Sequence, residues 1–128
     1  MRIRVLGDCL SARALRGDLS RAGFAVTDTG ARYTLHIEEG YAGEILVDSI
    51  DGQIDRAITE HLRALTTTPI KVQTAGGIQS EFEIRMSVPP DQAEQANIEK
   101  AILRGLLSLG DPRPAAGFWT RLARKVKL

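Results

Sequence analysis

The first 28 residues constrain the fold more than any other stretch. Ile3, Val5 and Leu6 form a short apolar run closed by Gly7. Leu10, Ala14, Leu15, Leu19 and Ala22 then recur at helical spacing up to Gly23, and residues 24–26 resume an extended apolar run. This order predicts strand, tight turn, helix, strand: a β-α-β opening. The turn after such a first strand gathers backbone N–H groups and a helix N-terminus at one spot, which favours an anion.

The rest of the chain reads as additions to that unit. Residues 33–39 alternate, with Tyr33, Leu35 and Ile37 on one face and Thr34, His36 and Glu38 on the other, and residues 44–48 follow after the turn-like 40–43. The two segments form an antiparallel hairpin or two strands joined through a longer loop, and the hairpin is the expectation. Asp51 is the expected N-cap of a helix whose apolar face holds Ile54, Ala57, Ile58, His61, Leu62 and Leu65, with Asp55, Arg56, Glu60 and Arg63 on the wet side. Residues 70–74 and 81–88, joined through Gly76 and Gly77, predict a second hairpin, because Phe82, Ile84, Met86 and Val88 alternate with charged or polar neighbours. Asp91 with Glu94 marks the start of a last helix whose apolar stripe, from Ile98 to Leu109, is wide enough for two covering surfaces, one of them a dimer contact. The expected class is α/β: a mixed sheet with a β-α-β opening, two hairpins, and helices packed on the sheet. Residues 1–114 form the compact domain, and residues 115–128 a basic, aromatic tail or helix.

Size and charge narrow the function. A chain of 128 residues fits one domain with a real core. Its 17 basic and 16 acidic residues leave no overall nucleic-acid footprint. Arg121, Arg124, Lys125 and Lys127 lie in the last eight residues, so the preceding body is mildly acidic. A single cysteine, Cys9, excludes an internal disulfide, and no Cys/His spacing matches a zinc site. A reducing, cytoplasmic setting is expected, since neither a secretory leader nor an apolar run of about 20 residues is legible.

The stretch Gly7-Asp8-Cys9-Leu10-Ser11-Ala12 carries the clearest motif. A dinucleotide fingerprint wants a small residue for the turn, a second for the approach of pyrophosphate, and a third for helix packing, with an acidic residue about 20 positions on for the ribose. Gly7 and Ala12 fill the first and third places, Cys9 stands in the second, and Asp28 ends the second strand. Over its first quarter the chain thus resembles the Rossmann-type nucleotide-binding superfamily. The resemblance implies that Gly7, Cys9 and Ala12 surround a phosphate and that Asp28 holds a ribose. A phosphatase loop needs an arginine six residues after its cysteine, and Leu15 occupies that place. His36 and Glu38 share a strand face as an exposed pair, and no metal or resident cofactor is called for.

With no complete catalytic constellation, the expected function is a small non-enzymatic module for protein interaction or assembly. Its contacts fall on the last helix and on Phe118, Trp119, Arg121, Arg124 and Lys125 of the tail. The alternative is a regulatory domain that binds a nucleotide or phosphate ligand at the Gly7 turn.

Overall fold

A computed structural model describes residues 2–50, 52–74, 78, 80 and 82–109. Six strands and three helices follow in the order β1 (Arg2–Leu6), α1 (Leu10–Arg21), β2 (Ala25–Val26), β3 (Tyr33–Glu39), β4 (Ile45–Asp48), α2 (Gln53–Leu65), β5 (Ile70–Gln73), β6 (Glu83–Val88) and α3 (Gln92–Ser108). The tail residues named above, the Asp51 cap and the turn at 75–77 lie outside the described residues.

The strands form one sheet in the order β2-β1-β3-β6-β4-β5. β1 pairs in parallel with both β2 and β3, as a β-α-β opening requires. β3 pairs in parallel with β6, β6 antiparallel with β4, and β4 in parallel with β5. Neither expected hairpin forms. β6 stands between β3 and β4, and β4 stands between β6 and β5. The connection from β3 to β4 has only to step over one strand, about 10 Å, which residues 40–44 span easily. β5 goes to the edge because Lys71, Val72 and Gln73 are exposed there, whereas β6 offers Ile84, Met86 and Val88, all buried. Charges alternating along β6 thus belong to an interior strand, not to an edge.

One face of the sheet builds the core. Ile3, Val5, Tyr33, Leu35, Ile37, Ile45, Val47, Ile84, Met86 and Val88 are buried, while the strand residues between them are half-buried or exposed. α1, α2 and α3 pack on that face, with α3 between the other two. Two of the surfaces that cover the wide stripe of α3 are thus α1 and α2. Asp91 caps α3 as expected, its carboxylate accepting from the Glu94 backbone N–H at 2.9 Å. α2 starts one residue later than the sequence suggests, with Gly52 at its N-cap. Asp55 is buried, not wet, and belongs with Ile54, Ile58, Thr59 and Leu62 on the inner side.

Helix contacts set how closely α2 and α3 approach. A Cβ on Gly105 would stand 2.9 Å from the Ala57 carbonyl oxygen and 3.0 Å from the Ile58 Cα, both backbone atoms that cannot swing aside. Gly105→Ala is expected to destabilise the domain by about 1–2 kcal/mol, because overpacking outweighs the gain in helix propensity. Gly17→Ala in α1 is its counterpart. There the new methyl meets only the tip of the Arg21 side chain at 3.4 Å, and a gain of about 0.5–1 kcal/mol is expected. Urea unfolding of the two variants checks both signs.

α1 and α3 also bring two carboxyl groups together. Glu99 is 6% exposed, and its burial, then the hydrogen bond it makes to Asp18 and the charge of Asp18, push its pKa up to about 8. The pKa of Asp18 is in turn lowered from its ordinary value, first by its interaction with Glu99 and also by Arg21.

Candidate functional site

The sheet order places a crevice. The chain leaves β1 through α1 to reach β2 on one side and returns to β3 on the other, so the C-terminal ends of β1 and β3 flank a topological switch point. Ligands of open α/β sheets bind at such points. A cleft of about 430 Å³ lies there, lined by Gly7, Asp8, Cys9, His36, Glu38 and Glu39.

Each lining residue is positioned by its element. Gly7 has φ +129°, a backbone state that a side chain disfavours, and the Ile37 carbonyl sits where a Cβ would be, only 1.9 Å from the ideal position. This close approach seats the end of β1 against β3. Strand alternation turns His36 and Glu38 to the face away from the helices and Glu39 toward α3. The cleft therefore wraps over the end of the sheet. The loop that leaves Glu39 carries Tyr41, which is 83% exposed.

One amide of the first turn of α1 is already taken. Its N-cap, Cys9, makes no side-chain capping bond. Instead the Gln95 Oε1 of α3 accepts from the Ser11 backbone N–H at 3.0 Å, filling the position a phosphate oxygen would take. The guanidinium nearest the turn, that of Arg16, donates to the Val5 and Gly7 carbonyl oxygens at 3.1 and 3.0 Å. The Cys9 thiol is buried, donates to the Ile37 carbonyl at 3.6 Å and lies 3.4 Å from the Ser11 hydroxyl. Three carboxyl groups, those of Asp8, Glu38 and Glu39, line the cleft beside the His36 ring.

Of the residues singled out from the sequence, Gly7 and Cys9 line the cleft. Ala12 is buried behind it, its Cβ 3.4 Å from where a Gly7 Cβ would stand. Asp28 is exposed beyond β2 and does not join the lining. The pairing of His36 with Glu38 on one face is as expected, but both belong to the cleft rim rather than to a bare sheet surface. Gln95 and Arg16 were not foreseen. Gln95 had a signal: it stands three and seven residues before Ile98 and Ile102, a polar side chain in the apolar phase of α3. Among the described residues no group of three or more His, Cys, Asp or Glu is placed to hold a metal ion, and no helix is long and apolar enough to cross a membrane.

The described residues thus make an α/β domain with an acidic cleft at the switch point of a mixed sheet. No family model and no curated protein matches the chain. Among solved structures it is similar to the N-acetylmuramoyl-L-alanine amidase AmiC2 of Nostoc punctiforme, at 12% identity and a TM-score of 0.54, over 84% of this chain and 94% of that one. At that identity the likeness is one of fold.

Proposed function

We propose that this domain is a non-enzymatic recognition module that takes a positively charged side chain of a protein partner in the cleft at the ends of β1 and β3. One observation carries the reading: Asp8, Glu38 and Glu39 line a single cleft whose helix donor at Ser11 is already held by Gln95. A lysine or arginine entering there meets three carboxyl groups, with the exposed ring of Tyr41 two residues beyond Glu39 as a further cation partner. A phosphate entering the same space would meet the same carboxyl groups and no free N2 donor, so the geometry favours a cation over the nucleotide that the Gly7 turn suggests. The Cys9 thiol, turned onto the Ile37 carbonyl, is not presented as a nucleophile.

Amide chemical-shift mapping with a tetra-arginine peptide tests this. Shifts are expected to concentrate at residues 7–9 and 36–41 and to fade with added salt. The double variant Asp8→Asn, Glu38→Gln is expected to lose about five- to tenfold in affinity, the sum of two exposed charge pairs. Shifts at the same residues with a nucleotide and none with the peptide would reverse the assigned sign.

A further inference from the structure

Gln95 does more than fill a helix end. It is 1% exposed and makes three hydrogen bonds to three parts of the chain. Its Oε1 accepts from the Ser11 N–H at 3.0 Å, and its Nε2 donates to the Pro89 carbonyl at 3.0 Å and to the Glu39 Oε1 at 3.2 Å. Only a side-chain amide meets these demands together. A glutamate in its place lacks the two donated hydrogens at neutral pH, and a lysine lacks the acceptor.

We propose that Gln95 is the positioning residue of the cleft: by tying Glu39 to the first turn of α1 it fixes the carboxylate that a bound cation meets. This rests on the cation-binding reading above. Glu39 ends β3, and its residue is exposed, so without a partner its side chain samples solvent and must be immobilised again each time a ligand enters. Gln95 holds it in advance. Because the same amide caps α1, the carboxylate is held relative to Gly7 and Asp8 as well, which come from β1 and its turn.

A double-mutant cycle separates this role from simple support of the fold. Gln95→Met keeps the side-chain length and removes all three hydrogen bonds. In the wild-type background it is expected to weaken tetra-arginine binding about fivefold, the entropy of ordering one glutamate side chain. In a Glu39→Gln background the same change is expected to leave peptide affinity unaltered, because the carboxylate it positions is gone, while the thermal midpoint drops in both backgrounds. Equal losses of affinity in the two backgrounds would overturn the proposal and leave the cleft reading standing. A wild-type domain that takes up no peptide would sink the cleft reading and this inference with it. If Gln95→Met does not fold, Gln95→Asn, which keeps the amide but is too short to reach both partners, is put through the same cycle with the same expectations.

Discussion

Gly7→Ala is expected to lower the stability of the domain by about 3 kcal/mol or more, seen as a fall of about 10 °C or more in the midpoint of thermal unfolding. Two penalties act together. The residue has φ +129°, which an L side chain rarely adopts, and its new methyl would stand 1.9 Å from the Ile37 carbonyl oxygen. That oxygen is backbone in the middle of β3, so relief requires the ends of β1 and β3 to part. The same movement would disturb the Arg16 bonds to Val5 and Gly7 and the Cys9 bond to Ile37. Gly43→Ala isolates the first penalty. Gly43 also has a positive φ, of 82°, but nothing lies within 4 Å of a Cβ there, and a loss of only about 1 kcal/mol is expected. Equal losses at the two positions would mean that the close approach of β3 to the turn contributes nothing.

The second large effect depends on pH. Glu99 has an ordinary value of 4.5 and is pushed up to about 8 in the folded domain. The native state therefore binds more protons than the unfolded chain between those two values, and stability must fall as pH rises through that window. Below about pH 4.5 the group is protonated in both states and contributes no slope. Above about pH 8 the penalty is fully present. Glu99→Gln removes the titrating group while keeping a polar side chain of the same size. The variant is expected to be close to wild type at pH 5 and more stable by about 1–2 kcal/mol at pH 8.5, a figure reduced from the full shift because the Asp18 side chain is 32% exposed and water screens the pair. Urea unfolding of both proteins at the two pH values checks it. Asp18 works in the opposite direction and in a lower window: its depressed pKa adds stability that is lost only as pH falls below the usual carboxylate range. A wild-type stability that does not decline between pH 5 and 8.5 would show that Glu99 is not protonated in the fold.

The opening unit was legible because its signals are local. The apolar run before Gly7, the helical spacing from Leu10 to Ala22 and the stop at Gly23 all lie within one supersecondary unit, and β1, α1 and β2 form as they suggest. Strand order was not legible, since alternation says which face of β6 is buried and nothing about its neighbours. The two supposed hairpins came from reading neighbours in sequence, and the alternation along β6, as pairings. The place of the cleft could be inferred from Gly7, but the carboxyl groups that β3 brings to it could not. The cap on the Ser11 N–H comes from Gln95, 84 residues away, so that one donor of the turn is taken from within. Buried carboxyl groups escaped for a related reason. Asp55 and Glu99 look like ordinary members of a wet helix face until the neighbouring helix is known, and only packing shows them inside.

The position of β6 also bears on synthesis. Of the described strands it is the last to be made, yet it is the one that joins β1, β2 and β3 to β4 and β5. A nascent chain that has not yet exposed residues 83–88 to solution holds two sheet fragments with no pairing between them, and α1 lacks the cap that arrives with Gln95. Completion of this sheet on the ribosome therefore waits for residues 83–95, and fragments ending before that point would present bare strand edges to chaperones.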